Sequence, residues 1–462
     1  MFVKDRLNLI NLARDEDELQ ILEEMLDSID YVIKSAQPHK FLSSSISITD
    51  ENIEVEGKKF EFSSYNSLYL LSFGKASQTM TEWVLDNLPV SFSRIILVSP
   101  EDCKDNLSSQ LALTFFKTGH PVPNKKSVEA AENVLSLFEK LTDQDLCIIL
   151  ISGGGSSLLE APDYSITLPQ YSDFIQQLLH SGASIQEINT IRKHLSKVKG
   201  GKLAIKTKAT LVSIIISDVI ANDPSFIASG PTVPDETTWE DCSKIVDKYE
   251  LSKTLPIELI SIFKKGISKE YPETPSDPLL FTNTYNFVIG DNCKVLENLK
   301  EKLSNDYCAT IIDYKVVGEA KEKGNELAGI AEKNLRNKKK HCNSPFCFLL
   351  FGGETTVEIQ SDSGVGGRNQ ELALSFALSN EKGYPLYLAS IGTDGMDGNS
   401  NAAGALVGPF TIFDRNKRNS AIQALKSHDS NTFFKENGGE IITGYTGTNI
   451  MDIGIICIKT RN

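Results

Sequence analysis

Apolar residues fall into two rhythms along this chain. Leu19, Leu22, Leu26, Ile29 and Ile33 recur every three or four positions among acidic neighbours. Ile21 and Met25 widen that face, so the first forty residues read largely as amphipathic helix. Beyond them short, continuous apolar runs take over. Tyr69–Phe73, Ile95–Val98, Cys147–Ile151 and Leu211–Ile216 each have the look of a strand covered on both faces, with helical stretches near 125–140 and 169–198 between them. The alternation predicts a doubly wound α/β layer, whose ligands collect at the carboxyl ends of the strands. A second alternation is expected after the charged, proline-bearing stretch near 266–280. Its strands fall near 287–290, 309–312, 346–351, 386–391 and 454–458. The expected division is into residues 1–255 and 256–462.

A length of 462 residues agrees with two cores. The formal net charge of −14 argues against a nucleic-acid partner. It also makes local clusters of Lys and Arg beside glycine the places where an anionic ligand would be held. No apolar run approaches the ~20 residues that span a bilayer, so no membrane partner is expected. Met1–Arg6 lacks a signal-like apolar stretch, and the segment from Asp15 to Glu24 is too acidic for a transit peptide, which predicts a cytoplasmic protein. The eight cysteines include no CxxC pair and read as reduced thiols. His341, Cys342 and Cys347 match no zinc spacing well.

Chemistry gathers where strands run into glycine. The run from Leu150 to Leu158 delivers a buried strand into Ser152, Gly153, Gly154, Gly155 and Ser156, and backbone amides freed of Cβ atoms suit a phosphate there. Lys75 follows Gly74 at another strand end, where it could reach a phosphate or simply start a helix. Asp218 follows a third strand. Between Ile191 and Leu203 lie Arg192, Lys193, Lys199, Gly200 and Gly201, either an anion-binding helix end or a solvated face. In the second half Glu354 follows a strand and two glycines, and Arg368 follows Gly364-Val-Gly-Gly367. Asp394 and Asp397 share a strand-end loop, a pairing that suits a divalent cation but is also ordinary turn chemistry. The phosphate-loop pattern GxxxxGK[ST], the dinucleotide GxGxxG and the GxSxG elbow are all missing.

Ten motifs in order carry a family resemblance. They are Phe73-Gly-Lys-Ala76, Thr118-Gly-His-Pro-Val-Pro123, Ile151-Ser-Gly-Gly-Gly-Ser156, Ile191-Arg-Lys-His-Leu-Ser196 with Val198-Lys-Gly-Gly201, Ser217-Asp-Val219, Ala228-Ser-Gly-Pro-Thr-Val-Pro-Asp235, Gly352-Gly-Glu-Thr-Thr356, Gly366-Gly-Arg-Asn-Gln-Glu371, Gly392-Thr-Asp-Gly395 and Thr446-Gly-Thr-Asn449. Together they resemble the type-2 glycerate kinases, whose C-terminal part is the MOFRL domain. The resemblance implies a Rossmann-like three-layer N-terminal domain, a smaller mixed α/β C-terminal domain and an active site in the cleft between them. It implies transfer of phosphate from ATP, with Mg²⁺, to the 2-hydroxyl of D-glycerate.

By the same resemblance Lys75 and Arg368 stabilise charge at the transferring phosphate, and Asp218 and Asp394 serve the metal and the substrate hydroxyl. Glu354 joins those two acids as a metal ligand. Gly74, Ser152–Ser156, Lys199, Gly200 and Gly201 hold the nucleotide, and Arg192, Lys193, Asn369 and Glu371 hold the substrate. A homodimer is left open. Three positions depart from the family pattern: Asn124 and Asn401 replace acids, and Tyr445 replaces proline. The competing functions are a non-catalytic sensor of glycerate or phospho-sugars and a hydroxypyruvate reductase, the latter without a visible nicotinamide site.

Overall fold

A computed structural model describes residues 1–101, 107, 112–337, 344–359 and 364–460. Cys103, His341 and Cys342 lie outside the described residues. The chain forms two compact units, residues 38–289 and residues 1–37 with 290–462.

In the unit 38–289 a small antiparallel meander comes first, β1 (Ile46–Ile48), β2 (Asn52–Val55) and β3 (Lys58–Glu61). The main sheet then uses β4 (Ser67–Phe73), β5 (Arg94–Pro100), β6 (Leu113–Thr118), β7 (Asp145–Ile151), β8 (Thr210–Ile216) and β9 (Thr284–Gly290). Its order is β6-β5-β4-β7-β8-β9, and β4 pairs in parallel with both β5 and β7. Counted from β4, this is the 3-2-1-4-5-6 order of a Rossmann-like sheet, with the topological switch point between β4 and β7. Every residue of β7 is buried, as its unbroken apolar run requires of a central strand. Leu71, Phe73, Ile149 and Ile151 pack with Val134 and Phe138 of the helix Lys125–Phe138. A separate helical cluster closes around Trp239, Phe174 and Phe263.

The second unit carries β10 (Cys308–Glu319), β11 (Phe346–Thr356), β12 (Leu386–Gly392), β13 (Gly404–Val407), β14 (Glu440–Ile441) and β15 (Asp452–Lys459), in the order β10-β11-β15-β12-β13-β14. Only β10 and β11 pair in parallel; the others are antiparallel, so the sheet is mixed. Leu349, Phe351, Leu388 and Ile456 meet Leu372 and Phe376 of the helix Arg368–Ser379 in its core.

These units do not follow the expected division at 255/256. The strand near 287–290, read as the start of the second alternation, closes the first sheet beside β8, with the Leu211 amide donating to the Asn283 carbonyl at 2.8 Å. The helix Glu16–Ser35 belongs with residues 290–462, because its wholly buried face of Leu22, Leu26, Ile29 and Ile33 is covered by the helix Asn292–Leu303 and by β15. An amphipathic helix goes where its apolar stripe is matched, whatever its place in the chain. Among the described residues no helix is long and apolar enough to cross a membrane.

Candidate functional site

At the switch point of the first sheet, the ends of β4, β7 and β8 bring Lys75, the three glycines and Asp218 together. The Lys75 amide donates to the Gly153 carbonyl at 2.8 Å, and the Ala76 amide donates to the Ser152 hydroxyl at 3.0 Å. Gly153 lies so close to Asp218 that a Cβ would overlap the carboxylate. Gly154, at φ +80°, turns the chain into the short helix Gly155–Leu158 beside His120 and the stem of Lys75. Among the described residues no group accepts from the amides of Gly153, Gly154, Gly155 or Ser156. Unsatisfied donors in a glycine turn beside a lysine make a receptor for an anion. Burial raises the Asp218 carboxyl above the usual range, while the Lys75 charge pulls it back.

The basic run after Ile191 divides. Lys199 is enclosed, its ammonium 2.7 Å from Glu160 and 3.2 Å from the Leu159 carbonyl. Tyr171 and Ser196 hydroxyls also donate to Glu160, each at 2.6 Å. The Gly200 and Gly201 amides donate to the Ser229 and Gly230 carbonyls at 3.0 and 2.7 Å. Lys199, Gly200 and Gly201, expected at a phosphate, are instead spent on holding the fold. Lys193, expected at the substrate, is buried in a pair with Asp235 at 3.0 Å, and Thr237 and Thr274 donate to the same carboxylate. Burial raises the Asp235 carboxyl, but Lys193 and those hydroxyls outweigh it and hold it below its ordinary value. Arg192 differs. Among the described residues it makes no hydrogen bond or ion pair, and with Ser156, Glu160 and Tyr171 it lines a small cavity of about 50 Å³.

In the second unit Arg368 opens the helix Arg368–Ser379 after the glycine turn 364–367. It is not a bare cation. Asp452, at the start of β15, accepts from its Nε at 2.6 Å and its Nη2 at 2.9 Å, and Glu354 sits 3.0 Å from its Nη1. Burial alone would weaken the charge, yet these carboxylates hold the guanidinium firmly protonated. The metal role expected for Glu354 therefore meets a competing partner. Asp394 is half-buried and accepts from the Met396 amide at 3.1 Å. Asp397 does not pair with it: it turns to the helix start, accepting from the amides of Asn369 and Gln370. Burial lifts its carboxyl to about 6 against the pull of those bonds.

Asn369 is likewise buried, accepting from the Ser390 hydroxyl at 2.6 Å. Glu371 lies 3.0 Å from the His428 ring, with its carboxyl raised by burial and drawn back by that imidazole. Arg368, Glu371, His428 and Asn399 line a cavity of about 460 Å³ with Thr355 and Gly366. Asn401 and Tyr445 are exposed, and Asn124 caps the helix Lys125–Phe138, a task Asp and Asn share. Asp452 escaped the sequence reading because a single acid before an apolar strand carries no signal; His120 was read only as part of its Gly-His-Pro-Val-Pro motif, and His428, in a stretch without glycine, had no signal.

Among the described residues no three His, Cys, Asp or Glu side chains converge as a metal cage. Mg²⁺ bound through phosphates needs only one or two carboxylates and keeps its waters, so Asp218 or Asp394, each in its own unit, has the donor chemistry for that sparse mode.

The two units define a two-domain α/β protein with a glycine-turn anion receptor in one unit and a carboxylate-held arginine in the other. Residues 24–264 match the model for a domain of unknown function (DUF4147), and residues 347–452 match the MOFRL family. The chain is 35% identical to a glycerate 2-kinase of Pyrococcus horikoshii, over 96% of this chain and 98% of that one. It is 39% identical to a putative hydroxypyruvate reductase of Agrobacterium vitis over 75% of this chain and 77% of that one. A crystal structure of glycerate kinase from Thermotoga maritima superposes with a TM-score of 0.80 at 32% identity, covering 94% and 99% of the two chains. The chain belongs to the type-2 glycerate kinase family, with its DUF4147 and MOFRL domains.

Proposed function

We propose that this protein is an ATP-dependent glycerate 2-kinase that transfers the γ-phosphate to the 2-hydroxyl of D-glycerate, giving 2-phosphoglycerate. The observation that carries this reading is the cluster of Lys75, Asp218 and the open amides of Gly153–Ser156 at the switch point. Phosphoryl transfer asks a protein for positioning and for fixed positive charge, more than for covalent chemistry. In this reading the amides of the glycine turn bind phosphate oxygens, and Lys75 and Arg368 balance charge on the transferring group. Arg192, which is uncommitted, takes the substrate carboxylate. Asp218 has the raised basicity that suits acceptance of the 2-hydroxyl proton. Asp394 would hold Mg²⁺, which when bound would supply charge neutralisation at the phosphates.

The relative named as a putative hydroxypyruvate reductase gives the second reading, and no nicotinamide-binding pattern accompanies it here. One experiment separates the two: a coupled assay of ATP consumption with D-glycerate and Mg²⁺, with product identification, run beside NADH oxidation by hydroxypyruvate. Formation of 2-phosphoglycerate without NADH oxidation is expected. NADH oxidation without phosphoglycerate would overturn the kinase.

A further inference from the structure

The loop between β12 and β13 carries two acids that do different work. Asp394 stays near the loop's surface, whereas Asp397 is buried and reaches the start of the helix Arg368–Ser379. That helix begins with Gly367, which has no side chain to cap it, and so leaves its early amides without a local acceptor. Asp397 supplies the acceptor from far along the chain. One carboxylate oxygen accepts from the Asn369 amide at 3.0 Å and the Asn369 side chain at 3.3 Å. The other accepts from the Gln370 amide at 2.9 Å and the Gln370 side chain at 3.0 Å.

Its neighbours make the joint close. Ser400 accepts from the Gln370 side chain at 2.9 Å and donates to the Asp397 carbonyl at 2.8 Å. Asn399 accepts from the Gly366 amide at 2.9 Å and donates to the Gly364 carbonyl at 3.1 Å. A Cβ on Gly367 would overlap Asp397, so glycine there is what lets the loop approach. Charge matters as well as geometry. Arg368 places a cation on the positive end of the helix dipole, an unfavourable position that a buried carboxylate on the amides of the next two residues offsets. The charged groups around Asp397 are Arg368, Asp452 and Glu371.

We propose that Asp397 is the positioning residue of this site, fastening the loop that bears Asp394 to the helix start that bears Arg368. The inference rests on the roles given to Arg368 and Asp394 above. Asp397→Asn replaces one accepting oxygen by an amide that faces two donors, so it should loosen the joint while keeping its shape. The expected result is a kcat lowered at least tenfold, with KM for glycerate and ATP each within threefold of the wild type. A wild-type kcat, or a loss confined to KM, would overturn the proposal.

Hydrogen exchange over residues 364–376 gives an answer that needs no turnover. The first-turn amides should exchange at least tenfold faster in the variant, and unchanged exchange would also overturn the proposal. A wild-type protein that does not phosphorylate glycerate would defeat the kinase reading alone, since the exchange result still decides this one. Should Asp397→Asn fail to fold, Ser400→Ala removes only the supporting hydroxyl. A twofold to fivefold loss of kcat at constant KM is then expected, and full kcat would sink the proposal.

Discussion

Two glycine turns in this molecule look alike as sequence and differ as chemistry. Ser152–Ser156 and Gly364–Gly367 both lead a helix, the first read from sequence as a phosphate cradle and the second as the glycine loop that delivers Arg368. In the first, the amides of Gly153 to Ser156 have no acceptor among the described residues. In the second, most donors are taken: Val365 by Asp429, Gly366 by Asn399, and Asn369 and Gln370 by Asp397, and among the described residues only the amides of Gly367 and Arg368 have no acceptor. The first turn can bind an anion through its backbone. The second has used most of its backbone to fasten the loop to the helix start, and the side chain it offers is Arg368. A glycine run therefore announces close approach, and only the hydrogen-bond partners say what approaches: a ligand in one case, the protein itself in the other.

The largest test of this contrast removes the side chain the second turn presents. Arg368→Ala should lower kcat by roughly 10³ to 10⁴-fold, with far less change in KM for glycerate, since charge on a transferring phosphoryl group is met chiefly in the transition state. A normal kcat in steady-state assays would leave Arg368 as a structural partner of Asp452.

The third glycine run, Val198–Gly201, extends the second case to a lysine and two amides that already have partners within the protein. Lys199→Met leaves Glu160 buried without its cation and should cost about 3 to 5 kcal/mol in denaturant unfolding, with nucleotide KM unchanged in the folded enzyme. The double change Lys199→Met with Glu160→Gln should recover most of that loss. A raised nucleotide KM in the single variant would restore Lys199 to the phosphate.

That run also marks the limit of what the sequence discloses. The strands at 69–73, 95–98, 147–151 and 211–216 were legible because central parallel strands are continuously apolar, and each was found where expected. So were the glycine turns and the acids at strand ends. The grouping was not. Nothing in the periodicity of the helix Glu16–Ser35 names the partner of its apolar face, and nothing in Phe287–Gly290 tells a last strand from a first one. Lys193 and Lys199 illustrate the same gap in chemistry: a buried pair with Asp235 or Glu160 is formed across 42 or 39 residues, a distance that local pattern does not span. Arg192, one residue from Lys193 and without a hydrogen bond or ion pair among the described residues, is indistinguishable from it in the sequence.

For the first turn, Gly153→Ala is the direct probe. The added methyl would overlap the Asp218 carboxylate, so turn and acid must separate. Misplacement of about 1 Å costs on the order of 100-fold in rate, and kcat should fall by about that much. Activity within twofold of the wild type would mean that Asp218 can move without consequence, and that its nearness to the turn is incidental.

The smallest expected effect discriminates most finely. Glu354 holds one nitrogen of Arg368 from an exposed position, with its side chain 43% accessible, while Asp452 keeps the bidentate contact from a buried one. An exposed pair is worth ~0 to 1 kcal/mol. Glu354→Gln should therefore leave Arg368 in place and remove only a competitor for it, so that KM for ATP falls by about twofold to threefold and the Mg²⁺ requirement stays the same. The metal role expected from the sequence makes the opposite forecast: a higher Mg²⁺ concentration for half-maximal rate, by about tenfold, with ATP affinity following it down. Titrating Mg²⁺ at saturating glycerate distinguishes them. The outcome also decides whether the second turn presents a cation held ready by two carboxylates or one that must first lose a counter-ion.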